Sequence, residues 1–337
     1  MKHKVRKRNE SKHRKAWKIT FNEKLRRIEK YIKGSRILYR PLAFIYSYLV
    51  LTRGGDKANG ESIVNYVLEL FEKINEPFFI WMHFMDVHYR YNPPDDYLKE
   101  VHGKSISTLK RAWLYSKMKF AKLSESEKEA IVSLYDGAIR YVDKQIGSLV
   151  KFLKEHGVLN TTYLIITSDH GEEFGEHGDY GHFKPKLYNE LLHVPLIIYG
   201  PGISTNEIRC TTSLIDLAPT ILDLLGIKKA TFMLGRSLKP IMEGVEEDRP
   251  AISEIKDLIS YQDNRYKLIV NIKTGHKELY DLENDPREQN PITSSKLVKD
   301  YEEKVKKYLL MRSNMRKILF RESVRSRIKT LKLSRNV

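Results

Sequence analysis

One cysteine, Cys210, stands among 337 residues, so neither an internal disulfide nor a cysteine-based zinc module can brace this chain. Long apolar runs are also missing. The most apolar stretch near the start, PLAFIYSYLVLT at 41–52, is too short to cross a bilayer, which takes about 20 residues of helix. It reads as a buried helix. The N-terminus, MKHKVRKRNESKHRK, is basic but lacks the apolar core of a secretory signal. No transmembrane segment is expected, and the chain reads as cytoplasmic. Acidic residues are scarce at both ends: residues 1–40 carry 16 Lys/Arg against Glu10, Glu23 and Glu29, and residues 304–337 carry 12 against Glu322. The net charge of +17 therefore lies in the ends, and the body between them is mildly acidic. That excludes a basic groove running across a nucleic-acid-binding fold. It leaves contact of the two ends with nucleic acid or another anionic surface, or plain solvation of charged helix faces.

Four segments follow from this layout: a basic helical segment over 1–40, an α/β core over 41–245, a small β subdomain over 246–293 and a basic C-terminal helix over 294–337. Apolar residues near a 3.6-residue period predict an amphipathic helix over 60–74, GESIVNYVLELFEKI. EPFFIWMHFMD reads as a buried strand over about 77–83, and HYRYNPPDDY after it as a loop held by Pro93 and Pro94. A long helix is expected over 124–156, with Ser124 and Glu127 placed as a capping box and Gly157 as its stop. Strands at 162–167 and 194–199 flank a polar loop, and SLIDLAPTILDLLGI at 213–227 reads as a helix. Helix, strand, loop, strand, helix is the rhythm of a mostly parallel sheet flanked by helices. YKLIVN and KELYDL around IKTGH predict an antiparallel hairpin with Gly275 in its turn, and a helical period resumes near residue 295.

The polar loop carries the chemistry. TSDHGEEFGEHGDYGH, 167–182, packs histidines, aspartates and glutamates directly after the apolar run YLIIT. Open α/β sheets place their sites beyond the carboxyl ends of their strands, where Asp169 and His170 stand. A carboxylate beside an imidazole suits a divalent cation; capping and loop hydrogen bonds are the plainer use of such residues. HFMDVH, 83–88, leaves its own predicted strand in the same way. His88 falls in the loop and is the candidate there, His83 reads as a core histidine, and Asp86 either orients a histidine or caps a turn.

SDHGEEFGEHG, the following GH, and LYNELLHVPLIIYGPG resemble the sulfatases of the alkaline phosphatase superfamily. FFIWMHFMDVHYRYNPPDDY, SLIDLAPTILDLLGI, GRSL and KELYDLENDPREQNP do so too, in the family's order, over roughly 77–292. The resemblance implies an alkaline-phosphatase-like α/β fold and hydrolysis of sulfate esters. It implies that Asp169 and His170 bind the catalytic divalent cation, calcium in the family, with manganese or zinc as alternatives because imidazole suits calcium poorly. It points to His88 as the group that contacts the sulfate and protonates the leaving oxygen. His182 stands where many relatives have a lysine and is the candidate for gripping the anion, joined by Lys184.

One part of the family pattern is missing. Its N-terminal stretch carries two metal-binding aspartates and a C-x-P-x-R or S-x-P-x-R motif that provides the nucleophile. None of the twelve prolines has a cysteine or serine two before it and an arginine two after. The resemblance therefore implies that the nucleophile and the first half of the metal site lie upstream of about residue 40, and that the fold is incomplete on that side. Three readings follow. The chain is a sulfatase-type hydrolase that needs an upstream-encoded partner chain to complete its site; or a phosphodiester or phosphonate hydrolase of the same superfamily; or a non-enzymatic, degenerate remnant.

Overall fold

The structure, a computed structural model, describes residues 36–52, 59–118, 122–230, 233–245 and 249–333. The expected basic helix over 1–40 lies outside them up to residue 35. The chain divides at Gly157/Val158 into two compact units. No helix among the described residues is long and apolar enough to cross a membrane.

The described part of the first unit is helical: α1 (Arg36–Thr52), α2 (Gly60–Phe71), α3 (Asp95–His102), α4 (Thr108–Met118) and α5 (Glu125–Glu155). α5 begins as its sequence dictates. The Ser124 hydroxyl accepts from the Glu127 amide while the Glu127 carboxylate accepts from the Ser124 amide, two otherwise orphan donors satisfied reciprocally. At the other end Gly157, at φ +72°, takes the left-handed conformation that lets its N–H reach the Lys154 carbonyl. Ala130, Ile131, Leu134, Ala138, Leu149 and Leu153 form the buried stripe of α5, which packs on α2 and α3, while α1 packs on α4.

Three expectations for this unit need correction. α1 is not a buried helix: Ser47 and Leu51 are buried, but Ile45 and Tyr48 are exposed, so its apolar run is split between two faces. The loop expected over HYRYNPPDDY ends sooner, because Asp95 and Asp96 open the first turn of α3 after Pro94, where acidic side chains favour a helix N-terminus. Residues 77–83 form no strand. Their period-two pattern survives, with Phe79 and Trp81 72% and 82% exposed. A strand also needs a ladder partner, and no described segment provides one.

The second unit holds two sheets. β1 (Leu164–Thr167) and β2 (Leu196–Tyr199) pair antiparallel, Thr167 opposite Leu196 and Leu164 opposite Tyr199. The mostly parallel sheet is not what the described residues form, as all their strand pairs are antiparallel. A parallel return needs a crossover, usually a full helix. The segment between β1 and β2 contains only the four-residue α6 (Asn189–Leu192), so the chain comes back at the end it left. Ser168 to Pro195 thus stand over one end of a two-stranded ribbon.

After α7 (Leu217–Leu224) and α8 (Lys239–Met242), β3 (Ala251–Ile255), β4 (Leu258–Gln262), β5 (Tyr266–Asn271) and β6 (Lys277–Asp281) form an antiparallel meander. The expected hairpin is its β5–β6 half, with Gly275 at φ +76° in the turn. Ile259, Leu268, Val270 and Leu279 bury one face against Tyr301 and Val305 of α9 (Ser295–Leu333). Ile269 and Tyr280 bury the other against Leu187, Tyr188 and Leu192. This second face supports the far end of the polar loop.

Candidate metal and anion site

β1 ends at Thr167, and the chain turns at once into Asp169 and His170. The turn is tight because Gly171 donates its N–H to the Leu191 carbonyl at 2.8 Å, and a Cβ there would collide with the Glu190 carbonyl oxygen. His170 points its Nδ1 at the Gly171 carbonyl, 2.7 Å away. A carbonyl can only accept, so Nδ1 carries the proton and the neutral ring keeps its lone pair on Nε2. That Nε2 lies 4.0 Å from Oδ1 of Asp169, whose side chain is 76% exposed.

His182 comes back to the same place from the other side of the loop, its ring centroid 4.3 Å from that of His170. Its Nδ1 meets Oε1 of the buried Glu172 at 2.9 Å, a carboxylate–histidine pairing that fixes the orientation of the ring. Lys184, grouped with His182 from sequence, has a 65% exposed side chain with its ammonium on Asp179 at 2.5 Å.

A buried charge network holds this loop together. The Glu173 carboxylate, 1% exposed, accepts from the His177 and Asp179 amides and pairs with Lys186 at 2.8 Å. Lys186 also reaches Asp179 at 2.8 Å and the His177 carbonyl at 2.8 Å. Burial disfavours the charge on Lys186, but Asp179 and Glu173 outweigh it and hold the ammonium above the usual lysine range. Asp179 answers in kind: burial opposes ionisation, and Lys184 and Lys186 together pull its carboxyl below the usual range. Deeper still, Lys267 and Glu288 form an ion pair at 2.8 Å with both side chains fully buried. Burial pushes the Lys267 amine down and the Glu288 carboxyl up, each against the pull of its partner. Asn189 bridges them, accepting from Lys267 through its side chain and donating its N–H to Glu288.

His88 belongs to the first unit. Its Nδ1 donates to the Tyr89 carbonyl at 2.8 Å, the tie to the next residue's carbonyl that His170 makes. Aromatic packing holds the turn: the Tyr89 hydroxyl donates to the Tyr115 carbonyl at 3.1 Å, and the Tyr115 hydroxyl to the carbonyl of Tyr91. Tyr91, Tyr115 and Tyr135 stack edge to face. Asp86, read from sequence as orienting a histidine or capping a turn, accepts the Gly60 amide at the start of α2. His83 is exposed rather than a core histidine.

Asp169, His170 and His182 thus meet on one loop, as their spacing suggested. Sequence reasoning missed Glu172, Glu173, Lys186 and the His177–Glu190 pair. Adjacent glutamates ordinarily mark a solvated surface, and only Phe174 beside them hinted at an interior position.

The sulfatase family profile matches residues 12–227, and that of the N-sulphoglucosamine sulphohydrolase C-terminal region matches 175–315. The choline-sulfatase of Rhizobium meliloti is 32% identical over 163 residues, 46% of this chain and 31% of that protein. Arylsulfatase K of Bos taurus is 37% identical over 127 residues, 37% of this chain and 23% of that protein. These matches span about a third or less of the relatives' length. The crystal structure of the phosphonate monoester hydrolase of Agrobacterium radiobacter superposes with a TM-score of 0.60 at 22% identity, covering 77% of this chain and 62% of that one, a likeness of fold. With the family profile running through well over half of its residues, the chain belongs to the sulfatase family of the alkaline phosphatase superfamily.

Proposed function

We propose that these residues form the cation- and anion-holding part of a sulfate-ester hydrolase. The observation that carries the reading is the pair of facing imidazoles at the end of β1, each with its Nδ1 committed to a fixed acceptor, beside an exposed carboxylate. Asp169 and His170 offer one oxygen and one Nε2 lone pair to a divalent cation. The family points to calcium; a mixed oxygen and imidazole donor set suits manganese or zinc as well. Bound there, the cation would supply charge stabilisation to the sulfate oxygens.

The chain's own groups have separate tasks. His182 in its protonated form donates from Nε2 to a sulfate oxygen while Glu172 accepts from Nδ1. Lys184 adds an exposed cation that can leave Asp179 for an anion. His88, its Nδ1 fixed by the Tyr89 carbonyl, delivers a proton from Nε2 to the alcohol oxygen as the sulfur–oxygen bond breaks. The nucleophile motif is not among these 337 residues, so covalent catalysis needs a polypeptide segment that carries it. We assign that role to a segment outside these residues that carries the C-x-P-x-R or S-x-P-x-R motif. The named sulfatases at 32% and 37% identity support sulfate over phosphonate as the substrate, since the phosphonate hydrolase shares only the fold.

The test is turnover of 4-nitrophenyl sulfate and of a phosphonate monoester by the purified chain, alone and mixed with the product of the adjacent upstream reading frame. Sulfate-ester turnover only in the mixture, abolished by His88→Ala, is expected. Turnover by the chain alone would refute the division of labour, preference for the phosphonate ester would reassign the substrate, and silence throughout would make the chain a remnant.

A further inference from the structure

His177 has no role in the chemistry above, yet its ring is largely enclosed. Its side chain is 11% exposed, and its ring lies flat on Tyr188 at a centroid distance of 3.6 Å and an angle of 5°. Both ring nitrogens face acceptors. Nδ1 meets Oε1 of Glu190, and Nε2 meets the Glu288 carbonyl at 2.9 Å. Gln289 Nε2 also lies 3.3 Å from His177 Nε2, but its hydrogens are directed at the carbonyls of Glu176 and Arg287. A neutral imidazole has one N–H and can satisfy one of two such acceptors; an imidazolium satisfies both.

The three elements this ring joins matter for the site. Glu190 lies in α6, Glu288 in the turn after β6, and His177 in the middle of the ligand loop. From His177 the loop closes tightly on itself: its amide donates to the Glu173 carboxylate, and the Gly181 amide donates to the Glu173 carbonyl at 2.6 Å. Glu172 and His182, the neighbours of Glu173 and Gly181, are the pair that presents Nε2 to the anion.

We propose that His177 is a positioning residue: as a cation bridging Glu190 and the Glu288 carbonyl, it fastens the ligand loop to the C-terminal subdomain and so holds the Glu172–His182 pair in its anion-binding place. This deepens the proposed function and, for the anion, rests on it.

The surrounding charges are consistent. Glu190 from α6 and Glu288 from the turn favour the cation. Lys267 from β5 is neutralised by Glu288, and Lys186 from the loop by Glu173 and Asp179. Burial works against the imidazolium, but the Glu288 carbonyl and the Glu190 carboxylate outweigh it and hold His177 above the ordinary imidazole value. Deprotonation would take one hydrogen bond from the bridge and release the loop's middle.

Nitrogen NMR of the His177 ring, hydrogen exchange of the amides of Gly178 to Gly181, and titration with inorganic sulfate test this in the full chain. Both ring nitrogens should be protonated at pH 7, and exchange of those amides should rise beyond ordinary base catalysis as His177 titrates. His177→Gln should exchange faster at pH 7, lack that step, and bind sulfate roughly tenfold more weakly. Glu190→Gln preserves volume, so if His177→Gln fails to fold it still reports; it should move the His177 titration and the exchange step together to lower pH. A singly protonated ring at pH 7, or an exchange profile the same in wild type and Glu190→Gln, overturns the proposal. If wild type binds no sulfate at any pH, the proposed function fails, while the ring and exchange measurements still decide whether His177 is the latch.

Discussion

Two histidines, His88 and His170, sit in the same local trap, each with Nδ1 on the carbonyl of the residue that follows. What holds the trap differs. The His88 turn is braced by buried aromatic rings, and its hydrogen bonds are those of neutral phenols to carbonyls. Burial raises the Tyr115 phenol far above its usual range, so that hydroxyl carries no charge at any ordinary pH. The loop of His170 is braced by carboxylates, ammonium groups and an imidazole, all buried or half-buried. An apolar brace is strong at any pH and indifferent to salt. A charged one is strong only while every partner keeps its charge, and removing one leaves another stranded in a low-dielectric interior.

The sharpest way to break the comparison is therefore to remove one charge. Glu173→Ala takes the acceptor from two backbone amides and leaves Lys186 with Asp179 and the His177 carbonyl alone, and should cost the second unit about 3 kcal/mol, read as a lowered urea midpoint for probes in residues 158–337. A midpoint unchanged within error would mean that the network is ornamental. Next comes Gly171→Ala, where the new Cβ meets the Glu190 carbonyl; strain of about 1–3 kcal/mol is expected, with the His170 and His182 ring signals shifted as the turn opens. On the aromatic side, Tyr115→Phe removes one hydroxyl and leaves the rings packed. It should cost about 1 kcal/mol, with the Tyr115 phenol itself neutral throughout the range from pH 5 to pH 9.

The smallest effects are in the pH dependence, and they separate the two braces by sign. His177 has its folded-state value raised, so its contribution to stability is complete below the ordinary imidazole value and is lost as pH rises through the folded one. The second unit should thus soften on the alkaline side. Glu127, at the cap of α5 and paired with Lys117, is held down to about 2 by that lysine and by the Ser124 amide. Its contribution is complete above the ordinary glutamate range and is lost as pH falls towards 2, so the first unit should soften on the acid side. Thermal melts followed by probes in each unit would show it; a shared profile would mean that neither group governs its unit.

Local chemistry was legible in the sequence, and pairing was not. Ser124, Glu127 and Gly157 mark the ends of α5 because caps are contacts between residues a few positions apart. The β5–β6 hairpin was readable for the same reason, whereas β3 and β4 lack so plain a turn signal and went unseen. The segment 77–83 shows the limit of pattern: its alternation is strand-like, but a ladder depends on a partner that periodicity does not name. Asp169, His170 and His182 could be found because ligand types cluster in sequence. Glu172 and Glu173 could not, because only distant partners, His182 for one and Lys186 for the other, explain why charged residues are buried there.

The central claim is that the loop from Asp169 to His182 holds a divalent cation, and paramagnetic manganese tests it most directly. Titrated into the full chain while ring NMR signals are followed, manganese should broaden His170 first and His182 with it, and Asp169→Asn together with His170→Ala should abolish the broadening. Broadening that spares His170, or that persists unchanged in the double variant, would contradict the account.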